Sequence, residues 1–360
     1  MAQTNQGFNL TKATKTGRGV VKWGTIAIVV LIVGRFAVEG AITFYRMLNP
    51  PPPPPPTQGF GQLPPLDFPE QDQSEEPISI TQEFPFTTFP YFGDRAEVFF
   101  IPDKTPSLLD TDRANELASS FGFREDGEPL GAQQYRWSKT QPITSTLEMN
   151  ILTYNLNFTT DYLTRPELIL NQNVPTTFDS VQRVKTFLGR GGLLPSDMAT
   201  ASGQVRYLRS VGGELRPAVA AAEADFVEVN IFRTPLHNNF PFYTVDGKTG
   251  PVSAIISGNS MTEGVVDLAR NYFAIHYELP HTYYLRSTES AWQMLSAGEG
   301  YIANPGTSET AIVRSVQLGY YDSFEYQEYM QPVYIFTGDG GFTAYVPALT
   351  PESYQKTETP

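Results

Sequence analysis

Hydrophobic and polar positions change rhythm several times along the chain, and each change marks an element. From Trp23 to Tyr45 (WGTIAIVVLIVGRFAVEGAITFY) apolar residues run almost unbroken. As a helix that run is roughly 34 Å long, enough to cross a hydrocarbon core of about 30 Å. Past Phe84 the rhythm shortens. Ala96 to Ile101 reads as a short apolar strand, and Asp110 or Thr111 caps a helix running to about Ser120 ahead of Gly122. Ser145 to Thr159 (STLEMNILTYNLNFT) alternates apolar and polar and predicts one long half-buried strand, with Tyr135-Arg136-Trp137 as a shorter one before it. A helix is expected over Ser180 to Leu188.

A similar order then returns. An Ala-rich helix is expected around Pro217 to Ala224, strands over Asp225 to Phe232 and Thr244 to Ser257, and a long strand over Val265 to Glu278. A helix over Thr288 to Ala297 and strands at Thr310 to Tyr321, Gln331 to Phe336 and Phe342 to Val346 follow. Helix followed by antiparallel strands, occurring twice, predicts an α+β architecture with helices covering one face of antiparallel sheets. The expected organisation is a basic tail over 1–22, a transmembrane helix over 23–45, a Pro-rich stalk over 46–83, two α+β subdomains over 84–215 and 216–350, and a disordered tail over 351–360.

The charged residues refine the membrane segment. Lys12, Lys15, Arg18 and Lys22 precede it and only Arg46 follows closely, so the positive-inside rule puts the N-terminus in the cytoplasm and the remainder outside, at the plasma membrane. Arg35 and Glu39 stand four apart on one helix face and can pair, either at the outer interface or against a partner helix. A cleavable signal peptide is the competing reading, but no A-x-A site follows Ile26 to Val33 and the apolar run continues to Tyr45. Pro50 to Pro56 are seven consecutive prolines, with Pro64, Pro65, Pro69 and Pro77 beyond. Such a run favours polyproline II and reads as a spacer, up to roughly 85 Å if extended to Pro77.

Composition removes several function classes. The net charge of −13 and the lack of a basic stripe beyond the N-terminus count against nucleic-acid binding. With no cysteines there are no disulfides, thiolate metal sites or Cys nucleophiles. Of the three histidines only His276 and His281, with Glu278 between them, are close, and Pro280 interrupts their strand, so no metal site is expected. Gly189-Arg190-Gly191-Gly192 lacks a phosphate-loop ending, and Gly338-Asp339-Gly340-Gly341 reads as a tight turn between strands. Ser257-Gly258-Asn259-Ser260 is not a nucleophile elbow, and the acid pairs Glu223/Asp225 and Glu325/Glu328 are what chance provides. No catalytic, cofactor-binding or metal residue is therefore named.

Tyr243-Thr244-Val245-Asp246-Gly247-Lys248-Thr249-Gly250-Pro251-Val252 reads as strand, turn, strand and resembles the repeating hairpin of PepSY-type domains. Tyr329 to Phe336 followed by Phe342 to Ala348 looks like the last hairpin of the membrane-anchored YycH/YycI-type regulators, which contain PepSY-like units behind one N-terminal span. The resemblance covers Ala221 to Ala348; the heptaproline and the Arg35/Glu39 pair depart from it. It implies two PepSY-like repeats and a non-catalytic extracytoplasmic module that contacts another envelope or membrane protein, such as a sensor kinase or a protease. A structural envelope component that self-associates and a cell-wall or peptide hydrolase are the alternatives.

Overall fold

The computed structural model describes residues 10–48, 54–71, 79–84, 88–169, 173–237, 239–259, 261–307 and 310–355. The chain falls into two compact units, Met1–Pro55 and Pro56–Pro360. In the first, α1 (Leu10–Leu48) is one helix. Its stretch Lys22–Ile42 is long and apolar enough to cross a membrane, a test that a signal sequence also passes. Arg35 Nε donates to Glu39 Oε1 at 2.9 Å, the pairing that a four-residue spacing allows. Pro50 to Pro53, most of the heptaproline, lie outside the described residues.

The second unit is mostly sheet. Its elements run β1 (Ser79–Gln82), β2 (Arg95–Phe100), α2 (Asp110–Ser120), β3 (Glu128–Pro129), β4 (Gln134–Lys139), β5 (Ser145–Asn150), β6 (Leu156–Thr160), α3 (Pro166–Ile169) and α4 (Thr177–Arg190). Then come β7 (Gln204–Val211), β8 (Glu214–Pro217), β9 (Phe226–Ile231), β10 (Phe242–Tyr243), β11 (Val252–Ser257), β12 (Val265–Arg270) and β13 (His276–Tyr284). The chain closes with α5 (Thr288–Ser296), β14 (Tyr301–Asn304), β15 (Thr310–Tyr321), β16 (Tyr329–Met330), β17 (Pro332–Gly338) and β18 (Thr343–Pro347). The α+β class is as expected.

Three sheets form. A nine-stranded sheet has the order β3-β4-β5-β6-β12-β11-β9-β7-β8. One face carries a hydrophobic core with Leu147, Met149, Phe158, Val229 and Leu268, on which α2 and α4 lie. Helix α4 forms there because Thr176 caps it, its Oγ1 accepting from Asp179 N at 3.2 Å, and because Val181, Val184 and Leu188 recur on one face. A six-stranded sheet has β1-β15-β17-β18-β14 with β10 also on β15, and β13-β2-β16 form a third.

This topology corrects several expectations. The boundary at 215/216 does not separate subdomains, because strands from both sides of it build the nine-stranded sheet. Ser145 to Thr159 is a hairpin rather than one strand. Asn150 Oδ1 accepts from Leu152 N at 2.9 Å and Thr153 N at 3.1 Å, and this side-chain turn reverses the chain. The expected strand over Val265 to Glu278 is cut after Arg270. The buried Arg270 guanidinium donates to Leu193 O and Tyr154 O, and the chain leaves for another sheet. Around Pro217 to Ala224 there is an edge strand and a single 3-10 turn instead of a helix, held by the Ala218 N bond to Tyr207 O at 2.9 Å and the Ser210 N bond to Asp225 Oδ2 at 2.8 Å.

The two hairpins behind the PepSY resemblance fare differently. β17 and β18 pair antiparallel across the Asp339-Gly340-Gly341 turn, where Gly340 takes φ 65° and a larger residue would be strained. The Asp246-Gly247 turn is also made, Asp246 Oδ1 accepting from Lys248 N and Thr249 N at 2.9 and 2.8 Å. Its flanks do not pair with each other, since β10 joins β15 and β11 lies between β9 and β12.

The stalk expected over 46–83 and the tail over 351–360 are also shorter than their composition suggests. Residues 57–71 lie on the folded unit with Leu63 fully buried, and β1 pairs in parallel with β15. Ser353 is buried and Tyr354 bridges to Leu63; residues 356–360 lie outside the described residues. Leu, Phe and Tyr between the prolines bury enough apolar surface to hold these segments down.

Candidate functional site

Where the nine-stranded and six-stranded sheets meet, a cleft of about 510 Å³ opens. One wall is Thr200 to Gln204, the approach to β7. The floor is Phe232 to Pro235, the exit of β9, and the far wall is Pro241 to Tyr243 with Gly247. The lining is hydroxyl, amide and aromatic: Thr200 and Thr234 face each other with hydroxyls 3.4 Å apart, and Phe242 and Tyr243 supply ring surface. Gly247, at φ 65°, is needed because a Cβ there would stand 2.9 Å from the Tyr345 hydroxyl.

Arg233, the only charged residue of that lining among the described residues, has no side-chain exposure and spends its guanidinium on other partners. Nε donates to Asp322 Oδ2 at 2.8 Å and Nη2 to Asp322 Oδ1 at 3.2 Å. Nη1 donates to Asp197 Oδ2 at 2.7 Å and Nη2 to Phe273 O at 2.7 Å. The Tyr272 ring stacks 4.1 Å from its charge centre. Asp197 is itself bound by the hydroxyls of Tyr272 at 3.1 Å and Tyr277 at 2.9 Å. One guanidinium thus ties the end of β9 to the end of β15 and to the segment that leads into β13. Burial opposes its charge, but Asp322 and Asp197 more than reverse this and hold it above the ordinary arginine value. Burial pushes the Tyr272 phenol up to about 12. With its bonds satisfied and its water removed, the cluster fastens sheets together and offers no free acid or base to the cleft.

The residues weighed from sequence are scattered. His237 pairs with Glu97, Nε2 to Oε2 at 2.8 Å, in a small pocket of about 260 Å³ between β2 and β15. His276 pairs with Phe100 on β2 while His281 pairs with Val98, so a bulge separates them, and His281 turns to Thr57 and Phe60. No group of three or more His, Asp or Glu suited to a metal is present among the described residues. Asp225 binds a backbone amide, and Glu223 is exposed in its turn. Ser257 accepts from Asn259 N at 3.1 Å; Ser260 lies outside the described residues. Gly191 ends α4, and Arg190 pairs with Glu263. Sequence reasoning missed the Arg233 cluster, whose partners lie 36 and 89 residues away. The single local signal is an arginine closing the apolar run FVEVNIF.

No family model matches the chain, and no curated protein does. Among solved structures it is similar to an uncharacterized protein from Eubacterium rectale ATCC 33656, at 10% identity and a TM-score of 0.39, over 77% of this chain and 90% of that one. A likeness of that degree carries no argument about function.

Proposed function

We propose that the chain is a single-pass, membrane-tethered recognition module, N-terminus cytoplasmic and folded unit outside, which binds another envelope protein without catalysing a reaction. The observation that carries this reading is the neutral cleft at the junction of the sheets, whose one charged residue is spent on the fold. Neutral hydroxyls, amides and rings recognise an uncharged stretch of polypeptide by hydrogen bonding and stacking. Acid–base hydrolysis calls for titratable groups within reach of a bound substrate, and among the described residues no Asp, Glu or His lines this cleft. The apolar stretch of α1 and the basic residues ahead of it support the tether and its direction.

The test is recovery of partners from solubilised membranes of the source cell by the full chain, with wild type compared against Thr234→Arg and Ser202→Arg. A specific envelope protein lost with either substitution supports the reading. Recovery unaffected by both removes the cleft as the contact surface, and turnover of cell-wall polymer or peptide by the purified chain would replace recognition with hydrolysis. Protease accessibility in intact cells reads the orientation: the folded unit is cut from outside and the residues before Lys22 are not.

A further inference from the structure

Strand β15 has a gap along one side. β1 pairs there with Thr310 to Val313 and β10 with Tyr320 and Tyr321, both in parallel, and neither reaches the residues between. Tyr320 N donates to Pro241 O at 2.9 Å on that side, whereas Tyr321 N donates to Gln331 O on the side of β17. Backbone directions alternate along a strand, so Leu318, two residues before Tyr320, turns its N–H and C=O into the gap. The residue that would continue the β10 ladder is Pro241, which has no N–H to give to Leu318 O. Among the described residues no backbone partner meets either group, although Leu318 is only 4% exposed. Buried backbone groups call for a partner.

The pocket of about 260 Å³ between β2 and β15 lies at this gap. Leu318 and Tyr320 line it, with Ala96 and Glu97 of β2 and His237 and Phe240 of the loop ahead of β10. That loop is tight, Leu236 N donating to Phe240 O at 2.9 Å, and His237 within it takes φ 50°, a left-handed conformation that is costly for a residue with a Cβ. The cost sets the imidazole against Glu97, Nε2 to Oε2 at 2.8 Å, on the solvent side of the pocket. Other polar side chains of the lining are engaged. Tyr320 OH donates to Glu97 O at 2.9 Å, Arg95 Nε to Asp94 Oδ1 at 3.0 Å, and Thr282 Oγ1 accepts from Thr57 N at 3.0 Å. The Glu97 carboxylate and the Leu318 backbone are the groups that face a ligand, over an apolar bed of Phe240, Ala96 and the Tyr320 ring.

We propose that this pocket binds a small amino-substituted nitrogen heterocycle. The N–H and C=O of one extended residue stand side by side, and a planar group with an acceptor next to a donor meets both in two bonds. A carboxylate accepts through two oxygens, so Glu97 takes a bond from the amino group while keeping His237, and it turns away anions. The volume is below the roughly 300–1,000 Å³ of sites for drug-sized ligands, which limits the occupant to a small ring system. The site is independent of whatever fills the cleft.

The test is calorimetric titration of the full chain in detergent with 2-aminopyridine, alongside aniline, which lacks the ring acceptor, and pyridine, which lacks the donor. 2-Aminopyridine is expected to bind at least about tenfold more tightly than either, to weaken about tenfold with Glu97→Gln, and to be excluded by Ala96→Leu, which narrows the pocket. Hydrogen exchange of the Leu318 amide should slow on binding. Failure of 2-aminopyridine to bind, equal binding of all three compounds, or an unchanged Leu318 exchange rate at saturation overturns the proposal. The last readout uses the unsubstituted chain and so does not depend on how either variant folds.

Discussion

The nine-stranded and six-stranded sheets are built from different material and by different routes. In the first every pairing is antiparallel and β3 to β6 follow one another in sequence and in space, over a core of Leu, Val, Ile and Met into which Trp137, Phe158 and Phe187 are packed but no buried tyrosine. In the second, β1 and β10 join β15 in parallel from far away in the chain, and the interior is aromatic, with Tyr334, Tyr345, Phe336 and Phe342 fully or almost fully buried. Those tyrosines do two things at once. Their rings fill volume, while their hydroxyls reach distant carbonyls: Tyr334 OH to Arg286 O at 2.7 Å and Tyr345 OH to Thr244 O at 2.8 Å, as Tyr283 OH of β13 in the third sheet reaches Gly61 O at 3.1 Å. Apolar side chains reward good packing alone. A tyrosine core also recruits outlying segments, which is how a proline-rich stretch becomes part of the fold.

The contrast can be broken most forcefully at the joint between the sheets. Replacing Arg233 by Met leaves Asp322 and Asp197 buried without their partner and should cost about 3–5 kcal/mol. Because the guanidinium links the sheets, urea unfolding of Arg233→Met should split into two transitions, one followed by Trp137 in the nine-stranded sheet and one by Trp292 beside the six-stranded sheet; a single shifted transition would show that the sheets are coupled by other contacts.

Next in size is a pair of matched deletions. Leu147 and Leu63 are both fully buried, one in the nine-stranded sheet and one in the segment over 57–71. Leu147→Ala should cost about 3–4 kcal/mol and Leu63→Ala about 2, because that segment can shift to fill the space. Equal losses by denaturation would mean that the segment is packed as firmly as the core.

Asp267 sharpens the comparison by pH. It lies on β12 on the opposite face from Leu268, and burial pushes its carboxyl up to about 6. A raised folded-state value means that the fold favours the protonated acid, so its stability contribution is present at low pH and declines as pH rises from about 4 to about 6. Asp267→Asn mimics the neutral acid. It should match wild type near pH 4 and exceed it above pH 6.5, by about 2 kcal/mol after allowance for its partial exposure. Melting at the two pH values decides the matter.

The smallest effects are the helix caps. Thr176 opens α4 over the nine-stranded sheet, and Ser287 opens α5 over the six-stranded sheet, its Oγ accepting from Ser290 N at 3.1 Å. Alanine at either should cost about 1 kcal/mol. A much larger loss at Ser287 would indicate that α5 helps to hold the six-stranded sheet together.

Periodicity and capping were enough to place α2, α4 and α5, the strands β2, β9 and β15, and the β17–β18 hairpin within a few residues, because each is specified by contacts or dihedral preferences within its own span. The apolar run in α1 and the Arg35–Glu39 pair were legible for the same reason. Tertiary structure alone decided the rest. Asn150 breaks an otherwise regular alternation through a side-chain turn, and Arg270 ends a strand by binding carbonyls from β6's approach and from the loop after α4. The prolines between Phe60 and Phe68 signalled an extended backbone correctly, yet whether such a backbone stands free or lies in a groove depends on aromatic partners more than 200 residues away. The Arg233 cluster and the neutral cleft above it exist for the same reason: they are assembled from side chains that no local pattern relates, and only folding brings them within hydrogen-bond distance.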